Sequence, residues 1–467
     1  VSSHPNHQNL GEVVEATQVT TSTLDPHQVR TIILLLAACV ALMMTGYGII
    51  MPVFARRLGE LGSGVEALGL MTMSFALAQF IAAPFMGMLA DRLGRRPLVL
   101  TALAAFAVAN IGFLLAPSTE IFIAVRTVEG ALTAGLFPAA MGVVADTVPE
   151  TQRARWVGIV MGSYAAGFIF GPVIGGILYD GWGFAASFVA SAAMGSIALV
   201  AAAILVPETR TPELRQRDAL RRRRISAMEP AQQRSIWTSL PRPLYIFGAL
   251  LILDFIDVFA FAFVEPQMVF YFYEDLGWTT IQFGIVVGVY GLAMVLGQIG
   301  LGQASDRFGR RPIITLGMLL SVTFYVGLAT VSWFPLTILV AFIAGLGIAL
   351  VSPAVSAFYL DITAEQHRSR VVGIKESSAA LGGVAGPLAV AAVSGITTPR
   401  GIFIIASMLT LAAAVLALVA LRTPRRVTEG TENTEGEYSG HRAMAAQTAL
   451  RGVVLSATTT RVVRQTA

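Results

Sequence analysis

The sequence predicts an all-α integral membrane protein whose twelve transmembrane helices form two pseudo-symmetric six-helix halves. Hydrophobic residues make up 55% of the 467-residue chain and charged residues only 13%, with a mean hydropathy of +0.71. An ordinary soluble domain carries about 25% charge. Runs long enough to cross a bilayer recur along the chain, each near the 20 or so apolar residues that a hydrocarbon core about 30 Å thick demands. Finally, one loop sequence occurs twice, at a spacing that divides the chain in two.

In order, the runs are 31–54, 68–90, 97–117, 120–144, 156–179, 182–206, 243–273, 280–304, 312–332, 335–360, 371–396 and 400–421. The seventh is long enough to tilt or to emerge from the membrane. Segment 207–242 separates an N-terminal half (31–206) from a C-terminal half (243–421) and holds nine arginines, Arg221 to Arg224 among them, against four acids. The polar ends, 1–30 and 422–467, read as disordered tails. Residues 1–30 place no basic stretch before an apolar one, so no secretory leader is expected. With the N-terminus inside, the short inner loops and the central loop hold nineteen arginines, and the outer loops hold Arg56, Arg57 and Arg400. The positive-inside rule then sets both tails in the cytoplasm, and the expected location is a cytoplasmic (inner) membrane.

Several function classes drop out. Thirty-two basic against 28 acidic residues leave a net charge of +4, too little to suggest a nucleic-acid partner. Cys39 is the single cysteine, and the five histidines (His4, His7, His27, His367, His441) all lie in polar segments. No metal or cofactor is therefore expected. The chain has no GxSxG and no GxxxxGK[ST], which argues against an enzyme and against ATP-driven transport.

Gly87-Met-Leu-Ala-Asp91-Arg92-Leu-Gly94-Arg95-Arg96-Pro97 recurs as Gly302-Gln-Ala-Ser-Asp306-Arg307-Phe-Gly309-Arg310-Arg311-Pro312, 215 residues later. The same spacing carries Asp146 onto Asp361, Arg155 onto Arg370, Gly158 onto Gly373, and Gly171-Pro172 onto Gly386-Pro387. Such a repeat predicts two parallel halves related by an axis along the membrane normal.

These residues resemble the major facilitator superfamily, and within it the twelve-helix drug/proton antiporters, over about 31–421. The repeated GxxxDRxGRRP resembles the superfamily's loop signature. Gly167-xxx-Gly171-Pro172-xx-Gly175-Gly176 in the fifth run resembles its antiporter signature, and Arg126-xx-Glu129-Gly130 is similar to its RxxQG element, with Glu in place of Gln. The resemblance implies the major facilitator fold, alternating access, and a conformational role for the loop motif. Drug exporters, sugar exporters and vesicular amine carriers share the pattern, so it names no substrate.

Asp91 ends the second run, where the helix dipole disfavours a carboxylate. It is expected to find cationic partners among Arg92, Arg95, Arg96 and Arg155, as a latch that holds one packing of the halves or as a plain interfacial anchor. Gly167, Gly171 and Gly175, four apart, lie on one helix face that permits close backbone approach, and Pro172 kinks the helix. The expectation is a tight rocking contact with the other half; static packing is the alternative.

Ionisable groups inside the membrane are costly and point to function. Arg126 and Glu129, three apart, can share a face, and their counterparts 215 residues on are Ala341 and Ala344. They read as a proton-coupling pair, or else as a permanent buried ion pair. In the seventh run, Asp254 and Asp257 lie about 13 and 18 Å deep at 1.5 Å per residue. They read as unpaired carboxylates that exchange protons or neutralise a cationic substrate, or, in a misplaced helix, as solvated acids. Glu265, before Pro266, reads as a mouth residue. Lys375 is expected to snorkel to the interface, with Glu376 facing the cavity.

The sequence thus points to a proton-coupled exporter of drugs or other amphiphilic or cationic compounds, driven by the proton gradient alone. Its expected partners are a small-molecule substrate, protons and the bilayer, with no obligate protein partner and a monomeric state. An exporter of sugars or metabolites, or a transporter-like membrane sensor, is the alternative.

Overall fold

The computed structural model describes residues 26–209, 240–363 and 367–421. The expected tail 422–467, residues 1–25 of the first tail, and 210–239 of the central loop lie outside the described residues. Among the described residues, twelve helices long and apolar enough to span a membrane account for the fold, and there is no strand. They are α1 (Pro26–Glu60), α2 (Val65–Leu93), α3 (Arg95–Leu115), α4 (Thr119–Thr147), α5 (Glu150–Trp182) and α6 (Phe184–Leu205) in the N-terminal half. The C-terminal half holds α7 (Leu244–Phe270), α8 (Thr280–Leu301), α9 (Arg310–Thr330), α10 (Phe334–Asp361), α11 (Arg368–Val393) and α12 (Pro399–Ala420).

Each apolar run is carried mainly by one helix, and most helices extend into polar flanks. Residues 26–30 of the expected tail belong to α1, because Pro26 suits a first helical turn and helical hydrogen bonding needs no apolar side chain. Two helices depart from regularity. α4 breaks at Ala134 and Gly135, one turn beyond Glu129. α7 passes into a π-helical turn, Tyr271–Asp275.

Both copies of the repeated loop turn on a glycine with positive φ, +116° at Gly94 and +90° at Gly309, which a side chain would strain. Gly94 also lies against Glu208, whose carboxylate accepts the backbone N–H groups of Arg95 (3.0 Å) and Arg96 (3.3 Å). Glu208 thereby caps the N-terminus of α3, where unpaired N–H groups favour an anion.

Each half is built around one tight helix pair. A Cβ on Gly171 of α5 would come within 2.6 Å of Gly48 Cα on α1, and one on Gly167 within 2.7 Å of Thr45 N. At the equivalent positions of α11, Gly382 would meet Phe255 O on α7 at 2.6 Å and Gly386 would meet Phe259 O at 2.8 Å. This corrects the expectation for the glycine face: Gly167, Gly171 and Gly175 pack on α1 of their own half. Spacing by four places residues on one face but does not choose the neighbour. Pro172 and Gly176 make contact with α8 of the other half, where a Cβ on Gly176 would come within 2.6 Å of Ile281 Cα.

The halves meet at the end opposite the repeated loops. There the Asp180 carboxylate accepts the N–H groups of Thr280 (3.3 Å) and Ile281 (2.9 Å) at the start of α8. Arg56 donates to Trp278 O (2.8 Å) and stacks over the Tyr273 ring (3.8 Å), while the Tyr273 hydroxyl donates to Pro52 O (2.9 Å). α2 and α11 close the same end, where Gly69 would meet Pro387 O at 2.8 Å. Toward the loop-repeat end the helices diverge. A Cβ added at Gly87, Gly158, Gly162, Gly300 or Gly373 would meet nothing within 4 Å among the described residues.

Candidate functional site

A cavity of about 610 Å³ lies in the N-terminal half, walled by α1, α2, α4 and α5 and touched by α11. Its apolar wall includes Met43, Met44, Phe75, Phe137, Met161 and Phe168, and its polar groups include Tyr47, Gln79, Glu129, Thr133, Tyr164 and Glu376. It shares Gln79, Ala134, Phe137, Tyr164 and Glu376 with a wider space of about 810 Å³ between the halves.

The close approach of α2 to α4 sets the depth of the site, since a Cβ on Gly130 would reach Phe75 O at 2.6 Å. One turn away, Arg126 donates to Glu129 at 2.6 Å, with side chains only 5% and 1% exposed. A second guanidinium nitrogen donates to the Tyr47 hydroxyl at 2.7 Å. The guanidinium also lies over Phe75 (3.9 Å), Tyr47 (4.8 Å) and Phe54 (4.9 Å). Among the described residues, Arg126 Nε is buried without a hydrogen-bond partner. A buried charge pair needs such support, because desolvation otherwise offsets its attraction. Glu265, on α7, lies within electrostatic reach of Arg126 and Tyr47. The expected mouth residue therefore stands close enough to the charged cluster of the other half to interact with it electrostatically.

Asp254 and Asp257 divide. Tyr359 of α10 donates its hydroxyl to Asp254 at 2.7 Å, so Asp254 is not the unpaired acid expected. Asp257 lines a separate pocket with Tyr290, Phe324 and Tyr325. Lys375 does not snorkel alone: it pairs with Glu376 at 3.1 Å, within reach of both aspartates, and Glu376 stands on the cavity wall.

The two loop motifs build matching charge brackets at the open end. Arg95 pairs with Asp91 (3.0 Å) and with Asp146 of α4 (3.2 Å), and Arg310 pairs with Asp306 and with Asp361 of α10 (3.0 Å). Each bracket ties the loop to the helix end of its own half. Arg96 donates to Ala203 O, and Arg92 and Arg307 are exposed. In the sequence Asp146 and Asp361 show only as a matched pair in the repeat. Tyr47 and Tyr359, which belong to no motif in the sequence, are the hydroxyl partners of the two charged sites. Nothing local marks them, because their partners lie 79 and 105 residues away.

Comparison with known proteins places this geometry. A sequence profile described as Major Facilitator Superfamily matches twice, over residues 34–272 and 247–463. The Multi-drug resistance efflux pump PmrA of Streptococcus pneumoniae is 26% identical over 385 residues, covering 81% of this chain and 92% of that protein. The class G Tetracycline resistance protein of Vibrio anguillarum is 30% identical over 355 residues, covering 75% and 86%. Among solved structures, a bacterial homolog of the human lysosomal transporter Spinster, in an inward-facing and occupied conformation, has a TM-score of 0.68. It is 16% identical and covers 84% of this chain and 96% of its own. The human organic anion transporter MFSD10 has a TM-score of 0.60 at 22% identity, covering 84% and 100%. At those identities the likeness is one of fold. Twelve apolar helices, a loop motif in each half and a profile that matches twice have one reading: this chain belongs to the Major Facilitator Superfamily, a multi-pass membrane transporter of small molecules and not an enzyme.

Proposed function

We propose that this protein exports amphiphilic and cationic small molecules from the cytoplasm in exchange for protons, by alternating access, in a cytoplasmic membrane with both termini inside. On this reading the open end faces the cytoplasm, where the positive-inside rule places its arginines, and the proton gradient is the sole energy source. One observation carries the proposal: Glu129, paired with Arg126 and 1% exposed, forms part of the wall of a cavity that is closed at one end. A proton on Glu129 and a bound substrate would both perturb that pair, which is the requirement for exchange. Asp257 in the second half, with Asp254 beside it, is the other proton site. Methionine and aromatic walls adapt to varied apolar shapes, and the multidrug and tetracycline resistance named for the relatives supports drug-like cargo.

Exchange requires protons and substrate to compete. Adding ethidium, an amphiphilic cation, to the purified protein in weakly buffered detergent should therefore release protons, and its affinity should rise with pH. Glu129→Gln and Asp257→Asn should each reduce the release. Saturable ethidium binding with no proton release would rule out competition and, with it, antiport.

A further inference from the structure

A smaller cavity of about 260 Å³ lies in the C-terminal half, where Asp257 and Phe261 of α7 meet Tyr290 of α8 and Phe324 and Tyr325 of α9. The rings form a continuous wall, with centroids 6.0 Å apart for Phe261–Tyr290 and 5.7 Å for both Tyr290–Phe324 and Phe324–Tyr325. Asp257 is the charged residue among those lining this space, and its carboxylate has no hydrogen bond or ion pair among the described residues. The charged groups nearest to it are already engaged, Asp254 by Tyr359 and Lys375 by Glu376. A carboxylate in an apolar pocket is costly without a counter-charge, and aromatic faces around it attract cations, above all substituted ammonium groups. The volume lies below the roughly 300–1,000 Å³ typical of pockets that take a whole drug-sized ligand, so it suits a head group. Phe168 of α5 lines both this pocket and the main cavity, which places the two side by side. The cage is built once, because the positions 215 residues before Asp257, Tyr290, Phe324 and Tyr325 are Leu42, Phe75, Ala109 and Asn110.

We propose that this pocket is a head-group subsite for tertiary and quaternary alkylammonium groups, with Asp257 as counter-charge, Tyr290, Phe324 and Tyr325 as the cage, and the apolar body of the ligand reaching past Phe168 into the main cavity. The proposal rests on the reading of the chain as an exporter of amphiphilic molecules and adds the chemistry of the head. It assigns charge recognition to the C-terminal half, while Glu129 is committed to Arg126.

The test is equilibrium binding, by calorimetry, to the full chain in lipid nanodiscs with no gradient present. The probes are benzyltrimethylammonium and its neutral isostere, neopentylbenzene. The ammonium compound should bind at least about tenfold more tightly, a ratio that one desolvated charge interaction readily supplies. Asp257→Asn should remove that preference, and Tyr290→Leu should reduce it. Equal binding of the two probes to the unaltered protein would overturn the proposal without recourse to any variant, as would an unchanged preference in a folded Asp257→Asn. Because no gradient is involved, failure here leaves proton exchange standing. Conversely, failure of proton exchange leaves a measured ammonium preference intact.

Discussion

Arg126→Met should destabilise the protein by about 3–5 kcal/mol, the cost of leaving one member of a buried ion pair uncompensated. Glu129 is only 1% exposed and would lose its 2.6 Å partner, while the Tyr47 hydroxyl would lose the guanidinium that donates to it. Adding Glu129→Leu should recover most of that loss, since replacing a whole buried pair by apolar residues is often neutral or stabilising. Equilibrium unfolding of both variants in detergent checks the stability half of the cycle. Transport then distinguishes the two readings of the pair. A coupling site predicts that the refolded double variant no longer exchanges substrate for protons. A double variant that is both stable and transport-competent would reduce Arg126 and Glu129 to a structural pair.

Leucine at Gly158 and Gly162 should leave the fold intact and stop turnover. A Cβ at either position meets nothing within 4 Å among the described residues, unlike one at Gly171, which would come within 2.6 Å of the Gly48 backbone. A helix-interior glycine costs about 1 kcal/mol relative to alanine, and in this conformation no contact offsets that cost. Close packing in the opposite conformation would offset it, with α5 approaching α8 near Gly300 as this end closes. Overpacking there by about 1–3 kcal/mol would shift the equilibrium between states roughly 5–150-fold toward the open one. The readouts are unfolding temperature, expected unchanged or raised, and substrate turnover, expected lost. Normal turnover would mean that this face of α5 never closes on the other half.

What the chain announced and what it withheld have physical causes. A span is a local property, so each of the twelve helices was legible from about 20 consecutive residues, and the 215-residue repeat located both loop motifs and the helix-end acids, Asp146 and Asp361. Contacts across the bundle were not local. The hydroxyls of Tyr47 and Tyr359, the packing of the glycine face on α1, and the cap that Asp180 places on α8 depend on helix rotation and tilt, which hydropathy does not encode. In the sequence Arg56 shows only as an outer-loop charge, yet it stacks on Tyr273 and holds the two halves together at the closed end. The break at Ala134 and Gly135 was hidden because the apolar run continues through it. Asp254 and Asp257 could be placed near mid-membrane from residue count alone, but their separation into a hydrogen-bonded acid and a pocket-lining one required their neighbours.

The most direct measurement is ethidium movement into liposomes that hold the purified protein, read with an internal pH-sensitive dye while a pH gradient is imposed and then collapsed. Exchange predicts that ethidium accumulates in the acidic compartment only while the gradient lasts, that each uptake event is matched by proton efflux, and that Asp257→Asn uncouples the two. Accumulation that persists unchanged after the gradient is collapsed, or substrate flux with no accompanying proton movement, would contradict it.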